Sequence, residues 1–167
     1  AAKFLKNGEP IAFPTETVYG LGTNIYNKKS IAKVFEIKQR PFFDPLIVHI
    51  ANLKQLEKVA KVEDERIYLL AKHFWPGPLT LILPKQKSVP YLVTAGLETV
   101  AVRMPQNIIA LSLIQELNLP IAAPSANLFT HLSPTTAEHV DKQLGDKIKL
   151  ILDGGKTICG VESTILL

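Results

Sequence analysis

The segment Leu46-Ile-Val-His-Ile-Ala51 is apolar on both of its alternating faces, interrupted only by His49. A strand that alternates can turn one face to water, but one that does not must be covered on both, so a central strand between two layers is predicted here. The neighbouring sequence supplies covering helices. Ile31, Val34, Phe35 and Lys38 recur at helical spacing after Asn27, and helical patterns follow at Leu53–Ala60 and Asp64–Phe74. Pro41 is expected to close the first helix, because the residue before a proline is pushed out of the α region. That leaves Lys38 and Arg40 at its C-terminal edge.

Further strands are predicted at Ile11–Pro14, Leu79–Leu83, Thr99–Arg103, Pro120–Ala123, Leu150–Leu152 and Glu162–Leu166, with a helix at Ile108–Leu117. Thr15–Gly22, rich in hydroxyls and glycine, reads as a loop. Ser133 is expected to cap a helix that begins at Pro134 and runs through Leu144. Trp75-Pro-Gly-Pro breaks the helix predicted at Asp64–Phe74 and forms a rigid corner that buries the indole. Several strands follow one another with too few residues between them for a crossover. The expected fold is therefore a single-domain α/β protein, a twisted mixed sheet flanked by helices. No repeat or linker divides the 167 residues, and that length is about one domain.

Composition narrows the class. Hydrophobic residues at 47% and charged residues at 20% exclude a disordered chain. The single cysteine, Cys159, cannot form an intrachain disulfide or a thiol metal framework, and its neighbours offer no charge to activate it. A reducing, cytoplasmic setting is expected. No apolar run approaches a membrane span, and the start lacks a signal-peptide core. The excess of 19 basic over 15 acidic side chains gives +4 and weakly favours anionic partners. Lys38, Arg40 and Arg103 stand singly beside apolar segments, which suits a cleft holding a small anion rather than a flat basic footprint.

Two loops follow strands, Pro14-Thr-Glu-Thr-Val-Tyr-Gly20 and Pro124-Ser-Ala-Asn127, and ligands in open α/β sheets collect outside such strand ends. Each loop alone is explained by ordinary turn chemistry. Together with Lys38, Arg40 and Arg103 they supply ammonium, guanidinium, hydroxyl and backbone N–H donors suited to phosphate and carboxylate groups. No P-loop occurs, and Gly20-Leu-Gly22 lacks the third glycine of a dinucleotide fingerprint. Neither Ser125 nor Ser163 sits in a G-x-S-x-G elbow, so a serine hydrolase is not expected. His131 and His139 have no metal spacing, and no metal site is expected. His49 reads on its own as a buried, hydrogen-bonded core histidine.

Eight blocks in order resemble the YrdC-like family of threonylcarbamoyl-AMP synthases. They are Phe13-Pro-Thr-Glu-Thr-Val-Tyr-Gly-Leu-Gly22, Lys38-Gln-Arg-Pro41, Pro45-Leu-Ile-Val-His49, Trp75-Pro-Gly-Pro-Leu-Thr80, Val102-Arg-Met-Pro105, Pro124-Ser-Ala-Asn127, Ser133-Pro-Thr135 and Gly160-Val-Glu-Ser-Thr164. The resemblance implies a YrdC-like domain over residues 1–167 with a positively charged concave cleft. The missing initiator methionine and the stop at Leu167 suggest trimming at both ends. It also implies condensation of L-threonine, bicarbonate and ATP with release of pyrophosphate, usually with Mg2+, for threonylcarbamoyladenosine in tRNA. Expected partners are those substrates, downstream tRNA-modification proteins and a tRNA or RNA contact. By resemblance Thr17, His49, Arg103, the Ala123 backbone and Ser163 hold threonine. Arg40, Asp44, Thr99, Ser125 and Ser133 surround ATP, and Lys38, Arg40, Ser125 and Asn127 form the catalytic set.

Two positions depart from the family pattern: Asp44 stands where Asn is frequent, and Leu128-Phe-Thr-His131 replaces a Ser-Gly turn. An ionised Asp accepts hydrogen bonds but cannot donate one to a phosphate, so a sugar, base or metal-water contact is expected of it. The alternative from another class is an RNA-binding module using the same basic cleft. A related carbamoyl-transfer domain of hydrogenase maturation is the third reading, although such domains normally sit in longer chains with zinc-finger cysteines.

Overall fold

The covering predicted for Leu46–Ala51 is complete on the face of Leu46, Val48 and Ile50, whereas Ile47 on the other is only half-buried. A computed structural model describes residues 1–167 as a seven-stranded mixed sheet in the order β1-β2-β6-β3-β5-β4-β7. The strands are β1 (Ile11–Phe13), β2 (Gly20–Asn24), β3 (Ile47–His49), β4 (Leu79–Pro84), β5 (Thr99–Arg103), β6 (Ile121–Ala123) and β7 (Thr164–Leu166). The helices are α1 (Ala2–Lys6), α2 (Lys28–Lys38), α3 (Leu53–Val59), α4 (Glu65–Phe74), α5 (Tyr91–Thr94), α6 (Ile108–Leu117) and α7 (Ala137–Leu144). The pairs β3·β5 and β4·β7 are parallel and the rest antiparallel. No helix is long and apolar enough to cross a membrane.

The two faces of the sheet are covered unequally, and this places the site. Val48, Leu81, Leu83, Val100, Val102 and Ala122 share one face, are buried, and belong to a 20-residue core with Phe35, Leu56, Val59 and Trp75. Their alternates Ile47, Ile82, Thr99 and Ala101 are only half-buried. Register sets Ile47 beside Ala101 on one side and Ala123 on the other. A floor of small side chains is thus left partly open on the opposite face. A second core of Ile11, Phe13, Ile121 and Ala123 with α1 and α6 closes one border of that floor.

Several boundaries differ from expectation for identifiable reasons. Helix α2 ends before Pro41, because Gln39 turns left-handed at φ 53° and the N–H groups of Gln39 and Arg40 return to Glu36 O and Phe35 O. The predicted loop Thr15–Gly22 ends at Tyr19, and Gly20–Asn24 is strand. Glycine is required at position 22, where a Cβ would stand 2.7 Å from Phe13 Cε1 and 2.8 Å from Ile121 Cγ2. Ser133 does not cap a helix: α7 starts at Ala137, capped by Thr136 Oγ1, which accepts from His139 N. Residues 133–136 stay non-helical because Pro134 O accepts from Tyr19 N and Thr135 O from Thr157 N. The segment Leu150–Leu152 makes only a bridge from Ile151 to Ala12. The Trp75 corner is as expected, with the indole N–H donating to Leu79 O at 2.7 Å.

Candidate functional site

Three basic side chains carry the candidate site, each held by a different partner. Lys38, the last residue of α2, is 1% exposed, and its Nζ donates to Ser125 O and Asn127 O at 2.5 Å each. The loop after β6 therefore closes around an ammonium and keeps the Ser125 side chain half-buried. Asn127 holds the loop from its other side, donating through Nδ2 to Leu128 O and His131 O. These bonds also define the Leu128–His131 turn, which in addition takes Phe129 N to Lys38 O. Burial, and after it the Arg40 charge, pulls the Lys38 ammonium from 10.5 down to about 7, while Glu162 and Asp44 pull upward.

Arg40 pairs with Asp44 at 2.9 Å and donates to Pro45 O at 2.9 Å, while its Nε is buried without a partner. Burial lowers its pKa and Asp44 opposes that shift. Asp44 is thus engaged with Arg40, in keeping with an acceptor role. Ser133 Oγ donates to Glu162 Oε1 at 2.6 Å, and the Glu162 charge also reaches Lys38 and Arg40. Thr99 sits on the half-buried face of β5, four residues before Arg103.

The second group lies at the carboxyl ends of the parallel pair. Register puts His49 beside Arg103. His49 ends β3 instead of occupying the middle of a longer strand; it is buried, and the edge of Phe13 meets its ring at 5.7 Å. Burial, then the neighbouring Arg103 charge, pushes the imidazole down to about 3. It is therefore neutral at physiological pH. Nδ1 lies 3.2 Å from Ile47 O, and the Ile121 backbone also favours a ring N–H.

Arg103 is buried and donates from Nη1 to Thr17 Oγ1 at 2.9 Å. Thr17 is held in turn by Thr15, whose Oγ1 lies 2.9 Å from Thr17 Oγ1 and accepts from Thr17 N at 3.2 Å. Arg103 Nη2 approaches Glu16 Oε1 to 2.8 Å, yet the two are not aligned as a hydrogen bond, and Arg103 Nε also lacks an acceptor. Ser163 joins this face through Thr80, their Oγ atoms 2.7 Å apart.

Glu16, Thr80 and Glu162 escaped the sequence reading as participants. Glu16 alone carried a signal, as an acidic residue inside a loop of hydroxyls. Cys159 is exposed and enters the site only through its backbone, donating to Glu16 O, while Gly160 N donates to Thr17 O.

This arrangement can be set against known proteins. The model of the Sua5/YciO/YrdC family, described as telomere recombination, matches residues 3–167. The chain belongs to that family. A threonylcarbamoyl-AMP synthase of Bacillus subtilis is 56% identical over 99% of this chain and 48% of its own length. One from Pyrococcus abyssi is 54% identical over 99% of this chain and 49% of its own. The crystal structure of P. abyssi Sua5 complexed with L-threonine superposes with a TM-score of 0.96 at 54% identity, over 98% of this chain and 48% of that one. The chain spans about half the length of these relatives, so the Sua5/YciO/YrdC resemblance covers one of their halves.

Proposed function

We propose that this chain carries the substrate-condensing site of an L-threonylcarbamoyladenylate synthase. The observation that carries the proposal is the buried Arg103 guanidinium, two of whose N–H-bearing nitrogens lack an aligned acceptor, beside the neutral His49. The close likeness to a Sua5 crystallised with L-threonine supports it. In this reading Arg103 takes the threonine carboxylate, with Thr17 fixing the guanidinium. His49, the Ala123 backbone and Ser163 complete the pocket.

The chemistry asks for crowded anions. Threonine's amine displaces water from bicarbonate to give a carbamate, whose oxygen attacks the α-phosphate of ATP, with pyrophosphate leaving. Lys38 and Arg40 balance the phosphate charge, and Ser125, Asn127, Ser133 and Thr99 line the nucleotide side. In this reading no side chain attacks covalently, and the site acts by proximity and electrostatic clamping, which together can account for several kcal/mol of barrier.

Mg2+ belongs to this reading as a companion of the triphosphate. No group of three His, Cys, Asp or Glu side chains is gathered to hold a metal, whereas Asp44 and Glu162 stand beside the basic pair. One or two carboxylates plus phosphates is the usual magnesium environment, so these residues fit the ion. Bound there, it would neutralise phosphate charge.

The test is threonine- and bicarbonate-dependent pyrophosphate release from ATP. Lys38→Ala and Arg40→Ala are each expected to lower it by about 100-fold or more, and Cys159→Ala to leave it unchanged. Loss of activity in the cysteine variant alone would refute the assignment. An RNA-binding module would instead bind RNA with steep salt dependence and show no response to threonine.

A further inference from the structure

Glu16 has no place in the assignments above, yet it is 3% exposed and committed at every polar atom that finds a partner. Its Oε2 accepts from Gln106 N at 3.0 Å, and its carbonyl accepts from Cys159 N at 2.9 Å. Its Oε1 stays 2.8 Å from Arg103 Nη2 without an aligned hydrogen bond. Two opposite charges are thus buried side by side at ion-pair distance, and Arg103 Nε has no acceptor. A buried donor left open is unfavourable, and a ligand acceptor can relieve it.

The charge balance of this pair decides which ligand that is. A lone buried guanidinium would attract any anion, including bicarbonate and the phosphates of a nucleotide. With Glu16 beside it the pair has no net charge, and an incoming simple anion meets attraction and repulsion at nearly the same distance. A zwitterion meets neither problem, since its carboxylate answers Arg103 and its ammonium answers Glu16. We propose that Glu16 is a positioning and specificity residue: it orients Arg103 and neutralises it, so that the pocket takes a zwitterionic amino acid and refuses a plain carboxylate or phosphate. This rests on the threonine reading of the Arg103 pocket and deepens it. Threonine is held as the zwitterion on arrival and must shed a proton before it meets bicarbonate.

Calorimetric titration with L-threonine and with 3-hydroxybutyrate, which keeps the carboxylate and hydroxyl and lacks the ammonium, tests the proposal. The unaltered protein is expected to bind threonine and discriminate against 3-hydroxybutyrate. In Glu16→Gln, which keeps the shape and the acceptor for Gln106 N, the preference should collapse by about tenfold or more, with phosphate now competing for the pocket. Glu16→Asp keeps the charge and should keep the preference. Should Glu16→Gln lose its cooperative melt, Glu16→Asp decides, and loss of preference there overturns the proposal. An unchanged preference in Glu16→Gln overturns it while leaving the threonine reading intact. Failure of the unaltered protein to bind threonine overturns both.

Discussion

Replacing Lys38 with methionine separates what its two hydrogen bonds contribute from what its buried charge costs. Folding lowers the Lys38 pKa from 10.5 to about 7. Between these values the unfolded chain binds more protons than the native one, so native stability rises with pH across that window and is reduced below it. At about 1.4 kcal/mol per pH unit, the rise from pH 7 to pH 9.5 is about 3 kcal/mol. Methionine has no such dependence. It does leave the carbonyls of Ser125 and Asn127 without their donor, which costs about 1–3 kcal/mol each at every pH. The variant should therefore be less stable than the unaltered protein by about 2–6 kcal/mol in alkali, and the gap should shrink by about 3 kcal/mol on going to pH 7. Urea denaturation of both proteins at the two pH values reads this as a change of about 1.5 M in the separation of midpoints, for a slope near 2 kcal/mol/M. A separation that stays constant with pH would refute the buried, charge-penalised amine.

The same lysine should make nucleotide binding take up protons. At pH 8 it is largely neutral, and phosphate oxygens favour the ammonium, so ATP titrated in HEPES and in Tris should give enthalpies that differ with buffer ionisation, by up to about one proton. A buffer-independent enthalpy would remove Lys38 from the phosphate site. Gly22→Ala should destabilise by about 1–3 kcal/mol, because its Cβ would enter the space of Phe13 and Ile121, and the melting midpoint should fall by about 2–4 °C for each kcal/mol. An unchanged midpoint would mean that β1, β2 and β6 pack less closely than described.

Legibility in the sequence followed how local each cause was. The double-sided run at residues 46–51 announced β3, and helical spacing announced α2, because both patterns report burial directly. The strand β2 was hidden, since Gly20-Leu-Gly-Thr carries turn residues for a reason outside the segment: the ring of Phe13 lies over it. Ser133-Pro134 carries a true cap signature that tertiary contacts from Tyr19 and Thr157 override. The residues proposed for the site came from the family resemblance, whereas the pairings among them came only from the fold. Glu16 with Arg103, Ser133 with Glu162 and Thr80 with Ser163 are brought together by sheet order and by the segment leading into β7.

Those pairings matter because the three cations differ in what an arriving anion must displace. Arg103 is matched by a fixed internal carboxylate, so its net pull on simple anions is small. Arg40 is matched by the half-buried Asp44, a pairing that water screens and that phosphate can outcompete. Lys38 hydrogen-bonds only neutral carbonyls, with Glu162 and Asp44 acting on it from further off, and is close to losing its proton, so nearby phosphate charge would favour its ammonium. Three basic residues that look equivalent in the sequence thus form a graded series. Under the proposed function, such a series would direct polyphosphate toward Lys38 and Arg40 and leave the Arg103 end for the amino acid, which would keep the two substrates from exchanging places.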